Sequence, residues 1–190
     1  MEDVRAHPDY HFSWDKPDRD NRHLTGQAWW RDMESVFATM YRQFGAGRET
    51  ADALSKQVRA HLLDVRNYTV YDDAVETLER CRDKGYKNIL VSNNYPELPE
   101  MLERLGLDGC FDGAVVSGLL GYDKPRREFF EAALAIAGNP EICTIVGDNP
   151  VADIEGGRAM GWQTVLVHRD RPSRADYVFD TLREIPDILV

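Results

Sequence analysis

Apolar positions recur along this chain with two different spacings, and the change from one to the other divides it. From Gln27 to Phe44 the side chains of Trp29, Met33, Val36, Phe37, Met40, Tyr41 and Phe44 return at steps of three and four, the spacing of one helix face. Gly45 and Gly47 end that run. A second stretch, from about Glu49 to Leu63, sets Ala53, Leu54, Val58 and Leu62 on one stripe. Two amphipathic helices with a short joint predict an αα-hairpin, a unit that can sit as a small cap beside a larger sheet.

Beyond Val70 short apolar runs alternate with helical stretches. Lys87 to Ser92 (with Ile89-Leu90-Val91 continuously apolar), Ala114-Val115-Val116, Ile142 to Val146 and Thr164 to Val167 read as strands, and Tyr177-Val178-Phe179 forms a further short run. Their unbroken apolar character suits a parallel sheet covered on both faces. Helices are expected from Asp72 or Asp73 to Lys84 (with Ala74, Val75, Leu78 and Cys81 inward), from Glu97 to Leu105, from Arg126 to Ala137 and from Ala152 to Met160. This order predicts right-handed crossovers and an α/β fold with a doubly wound, mostly parallel sheet. Residues 1–70 are then an irregular segment plus a helical cap, and residues 71–190 the α/β core.

Three strand ends carry polar residues. Ser92-Asn93-Asn94 could hydrogen-bond an oxyanion near a helix start, or form an Asn-rich helix cap. In Gly121-Tyr122-Asp123-Lys124-Pro125, Pro125 suits a first helical position. Lys124 there is either a solvated turn residue or a compact charge over a phosphate. Gly147 breaks the apolar run that ends at Val146, Asp148 follows it, and Asp153 lies five residues on, in the first turn of a helix opened by Pro150. Two such carboxylates repel unless a cation joins them, and hard oxygen ligands suit Mg²⁺. The plain reading is that one ends a strand and the other caps a helix. Trp29-Trp30 offers a similar choice between one ring packed inward beside one at the helix edge, and contact with a substrate.

Charge narrows the partners. Lys plus Arg number 23 against 33 Asp plus Glu, a net charge of -10 that repels phosphate backbones, so nucleic acid is not expected. No apolar run approaches the roughly 20 residues that span a membrane. No signal-peptide core follows Met1. Cys81, Cys110 and Cys143 are scattered without zinc spacing, which reads as reduced thiols and a cytoplasmic setting.

Taken together, the three polar strand ends resemble the haloacid dehalogenase (HAD) superfamily of hydrolases. Ser92 with Asn93 resembles its second motif and Lys124 in Asp123-Lys124-Pro125 its third. The stretch Gly147-Asp148-Asn149-Pro150-Val151-Ala152-Asp153 resembles the fourth, the most specific of the set. The ending from Ala175 to Pro186 and the helical hairpin, like the inserted cap of many family phosphatases, extend the likeness over about residues 20–190. The resemblance implies a Mg²⁺-dependent phosphatase of a small phosphorylated metabolite. By it, Ser92 and Asn93 hold the transferring phosphoryl group, Lys124 neutralises it, Asp148 binds Mg²⁺ and Asp153 binds it or orients its waters. Asn94 and Asn149 join the substrate-binding set.

The family's first motif, an apolar strand ending Asp-x-Asp-x-Thr whose first Asp is the nucleophile, has no counterpart here. Asp18-Arg19-Asp20 is the one Asp-x-Asp, and no apolar strand leads into it, so it reads as a solvated loop. The central first strand is therefore absent from this reading, which leaves two inner sheet edges to be filled. Residues 1–14, direct pairing of the flanking strands, or another chain could do so, and a homodimer through those edges is one expectation. Two rival functions follow. One is a non-catalytic HAD-like binding protein or truncated fragment. The other is a 2-haloacid dehalogenase, against which the Mg²⁺-type acidic pair argues.

Overall fold

In the computed structural model of this protein, residues 20–169 and 172–189 are described. Residues 1–14, one candidate for the sheet gap, and Asp18 lie outside them. Helices α1 (Gln27–Gln43) and α2 (Arg48–Leu62) form the expected hairpin. The buried stripe of α2 runs through Ala51 and Ser55, whereas Ala53 is exposed. Both Trp29 and Trp30 are buried, with their rings 5.0 Å apart and edge to face. Neither lies at the helix edge. Buried aromatic pairs prefer this geometry, because the positive rim of one ring meets the negative face of the other.

The core has the predicted alternation. Helix α3 (Ala74–Asp83) leads to β1 (Ile89–Ser92), α4 (Leu98–Arg104), β2 (Gly113–Val116), the short α5 (Ser117–Leu120) and α6 (Arg127–Ala137). Strands β3 (Thr144–Gly147), β4 (Gln163–Val167) and β5 (Tyr177–Phe179) follow, with α7 (Gly156–Ala159) and α8 (Ile185–Ile188). On α3 the inward positions are Thr77 and Cys81, while Val75 is exposed. Helix α6 starts at Arg127, so Pro125 lies ahead of it and not in its first turn. Helix α4 starts at Leu98, too far along for Asn93 or Asn94 to cap it.

Every strand pairing among the described residues is parallel, but the pairings fall into two sheets. β1 pairs with β2, and β3–β4–β5 form the other sheet, with Ile145 opposite Thr164 and Val165 opposite Tyr177. No ladder joins β1 to β3, so direct pairing of these two strands does not close the gap. Each half has its own core. Val115, Phe129 and Ala133 pack under the first, and Cys81, Val165, Val167 and Ile185 under the second. The hairpin joins the first half. Trp29, Trp30 and Met33 bury themselves with Tyr95 and Met101, which follow β1. No helix among the described residues is long and apolar enough to cross a membrane.

Candidate active site at the open edge of the sheets

Parallel strands deliver the residues at their carboxyl ends to one rim. At the end of β1 the Asn93 amide is spent on backbone. Its Nδ2 donates to the Lys124 carbonyl at 2.9 Å, and its Oδ1 accepts the Lys124 N–H at 2.7 Å. Asn94 is used locally: its Oδ1 accepts the Tyr95 N–H at 2.8 Å, and its carbonyl accepts the Gly118 N–H at 3.0 Å. Among the described residues the Ser92 hydroxyl takes part in one 3.5 Å contact, from the Asn94 amide, and is the least committed group of the three.

Lys124 is 8% exposed, which rules out the solvated turn. Its ammonium donates to the Val91 carbonyl at 2.9 Å and to Asp153 Oδ1 at 2.6 Å. It thereby spans from the end of β1 to the segment after β3, across the break between the two sheets. A charge taken out of water requires such partners, since desolvation otherwise costs several kcal/mol per ion. Next to it, the buried Asp123 accepts the Asn21 side-chain amide at 3.0 Å, while its other oxygen has no partner among the described residues. Gly121 brings the same turn against the Arg22 backbone with φ +80, where a side chain would be strained and would collide. The entry to α1 is thus pinned to the lysine turn.

Beyond β3 the expected α-helix begins as a π-helical turn, Pro150–Glu155, before α7. Asn149, not Asp153, caps it, accepting the N–H groups of Val151 and Ala152 at 2.9 and 3.0 Å. Asp153 instead turns back and accepts the Asn149 N–H at 3.0 Å. A Cβ at Gly147 would run into that carboxylate, so glycine is what lets Asp153 lie against the strand end. Asp148 stands at the surface, where Oδ2 accepts Nε and Nη2 of Arg169 at 3.1 and 2.9 Å. A cavity of about 600 Å³ beside it is lined by Tyr71, His168, Arg169 and Leu182.

The remaining sequence candidates fall into place around this rim. Asp20 is exposed and clasped by the Arg22 guanidinium and N–H, which hold its carboxyl far below the usual aspartate range. That suits a loop, not a nucleophile. Burial, with help from a hydrogen bond to Tyr68, pushes the Tyr95 hydroxyl up. Tyr95 stacks on Trp30, whose Nε1 donates to Glu97. Arg169, Glu97, Asn21 and the buried state of Asp123 escaped the sequence reading, because each matters through a neighbour distant in the chain.

The acidic pair meets the donor chemistry of Mg²⁺ in part. No group of three or more potential ligands gathers among the described residues. Mg²⁺ keeps several waters, however, and is commonly held by one or two carboxylates plus substrate phosphate. Asp148 keeps Oδ1 unpartnered among the described residues, whereas the buried Asp153 has Oδ1 on the Lys124 ammonium and Oδ2 on the Asn149 N–H. Asp148 could therefore bind the ion directly, and Asp153 could bind it or orient its waters.

Comparison with known proteins identifies the family. The human haloacid dehalogenase-like hydrolase domain-containing protein 3 is 31% identical over 145 residues, covering 76% of this chain and 57% of that protein. A phosphoserine phosphatase of Thermus thermophilus is 33% identical over 159 residues, covering 80% of this chain and 63% of that protein. This chain therefore spans about three-fifths of the length of these curated relatives. The crystal structure of a HAD phosphatase from Thermococcus onnurineus superposes with a TM-score of 0.65 at 24% identity, over 85% of this chain and 88% of that one, which shows the shared fold. The family model for haloacid dehalogenase-like hydrolases matches residues 4–161. With a match of that extent, the chain belongs to the haloacid dehalogenase-like hydrolase family.

Proposed function

We infer that this chain carries the phosphate- and metal-holding part of a phosphatase for a small phosphorylated metabolite. The observation that carries this reading is the buried Lys124 ammonium between the end of β1 and Asp153. An ammonium buried there, with two of its three N–H donors on Val91 and Asp153, has one left to attract a phosphoryl group and stabilise the charge that grows as that group transfers. Ser92 offers an uncommitted hydroxyl to a phosphate oxygen. Asn93 acts indirectly, holding the lysine turn in register. Asp148 and Asp153 would hold Mg²⁺, which when bound supplies charge neutralisation and orientation of the phosphate. The hairpin of α1 and α2, packed on Tyr95, serves as the cap that selects the substrate, and its buried Trp29 and Trp30 shape it from within. A cytoplasmic setting agrees with the free thiols of Cys81, Cys110 and Cys143.

Phosphoryl transfer through the enzyme needs an attacking carboxylate. Among the described residues no second strand-end carboxylate faces Lys124, and the sheet is split where such a strand would lie. That observation favours a second reading, a family member that binds a phosphorylated ligand without turning it over. The purified full chain is offered p-nitrophenyl phosphate with Mg²⁺. Hydrolysis that Asp148→Asn abolishes supports the phosphatase. Phosphate binding without turnover supports the binding protein. Turnover unchanged in Asp148→Asn removes the metal assignment, and chloride release from a 2-haloacid without Mg²⁺ would point to a dehalogenase. Pairing of two copies through the open edges of β1 and β3 would appear as a dimer mass in solution scattering.

A further inference from the structure

The guanidinium of Arg169 lies where a cation bound by Asp148 would draw its charge. Its Nε and Nη2 both reach the same oxygen, Oδ2, at 3.1 and 2.9 Å. The arginine is not there by the chance swing of a long side chain. It directly follows β4, after His168, whose backbone takes the left-handed conformation with φ +57. A residue other than glycine seldom adopts that conformation, and it persists only where the surroundings impose it. Here two contacts hold it, and the imidazole Nε2 is buried besides. The His168 N–H donates to the Phe179 carbonyl at 3.2 Å, and the imidazole stacks on Tyr71 at 4.2 Å with an 8° tilt. This turn redirects the chain from the end of β4 and carries Arg169 to the Asp148 carboxylate at the end of β3.

We propose that Arg169 is a built-in competitor for the divalent cation at Asp148, and so sets how tightly this chain holds it. The proposal rests on the reading of Asp148 as a metal carboxylate. An incoming cation has two routes. It can displace the guanidinium from Oδ2, losing that ion pair, or it can enter through Oδ1 beside a like charge. Either route weakens binding, through the lost pair or through repulsion between cations. The pair is half exposed, with the two side chains 48% and 53% accessible, so the competition is moderate and the cation can win. By linkage, metal binding frees Arg169 toward the cavity lined by Tyr71 and His168, where an anionic part of a ligand would find it.

The test is titration calorimetry of MgCl₂ into the full chain, with Arg169→Gln, Arg169→Lys and Asp148→Asn as variants. Arg169→Gln should bind Mg²⁺ roughly three- to tenfold tighter than the wild type, the range that an exposed ion pair of up to about 1 kcal/mol and its repulsion allow. Arg169→Lys keeps the charge and should stay near the wild type, and the gap should narrow at high ionic strength as salt screens both effects. Equal affinity in wild type and Arg169→Gln, with binding lost in Asp148→Asn, overturns the proposal while leaving the metal reading in place. No binding in any form, or binding unchanged in Asp148→Asn, removes the metal reading and the proposal with it. Circular dichroism of each variant separates these outcomes from unfolding.

Discussion

The side-chain amide of Asn93 grips the backbone of Lys124 at two points, 2.7 and 2.9 Å, across 31 residues of sequence. The bond from Oδ1 satisfies a backbone N–H on a buried residue that would otherwise lack a partner. Asn93→Ala should therefore destabilise the chain by about 1–3 kcal/mol, the penalty for an unmet buried donor. Ser92→Ala, one residue earlier and with a hydroxyl in one long contact among the described residues, should stay within about 0.5 kcal/mol of wild type. Urea unfolding measures both. Equal effects would mean that the amide does not hold the lysine turn.

The Lys124–Asp153 pair is buried on both sides, with side-chain exposures of 10% and 6%. Removing one partner strands the other charge. Lys124→Met or Asp153→Asn alone should each cost about 3–5 kcal/mol. The double variant should be more stable than either single one, because neither charge is then left unpaired. Unfolding free energies in a double-mutant cycle check this, and additive losses would refute the coupling.

Glu97 fastens the hairpin to the core. It accepts the Trp30 indole N–H at 2.9 and 3.0 Å and the Arg59 guanidinium at 2.5 Å, and that guanidinium also stands 5.0 Å over the Trp30 ring. Hydrogen bonds to a charged group contribute about 1.5–3 kcal/mol. Glu97→Ala should raise amide exchange in α1 and α2 by about tenfold or more, while α6 and β4 stay unchanged. Uniform change throughout the molecule would show that the contact supports the whole fold and not the hairpin.

Asp176 governs part of the acid stability. Its carboxylate accepts the Thr164 hydroxyl and N–H, both at 2.8 Å, and these bonds hold its carboxyl below the usual aspartate value. A depressed value in the folded state means that the charged form is favoured by folding. The contribution is present above the unfolded value of about 3.9 and fades as pH falls through the lower folded value. Asp176→Asn should thus be less stable than wild type at pH 7, with the gap shrinking below about pH 4. Thermal melts from pH 7 to pH 3 record it. A gap that does not vary with pH would assign the loss to packing.

Much of the fold was legible before any coordinates. Helices α1, α2, α3 and α6 and strands β1 to β4 lie within a few residues of where periodicity put them, since solvent on one side and core on the other impose a period on the chain. Boundaries slipped where tertiary contacts intervene. Pro125 precedes α6 because the lysine turn needs Asn93 on its backbone, and the turn after β3 widens into a π-helix as Asp153 reaches back to the strand. The stripe on α2 shifted from Ala53 to Ala51 and Ser55, a choice that depends on which neighbour the helix meets.

The chain alone determined the order of its elements, the polar ends of its strands and the surplus of negative charge. Local propensity and the need to hide apolar surface act on neighbours in sequence, so these can be read in one dimension. Folding in three dimensions decided what each polar group does. It buried Lys124, gave Asn93 to a backbone rather than a ligand, set Asn149 as the helix cap and brought Arg169 to Asp148. Such pairings join residues from 2 to 31 positions apart, and their strength comes from the exclusion of water and from the geometry of approach, which exist only once the elements have packed.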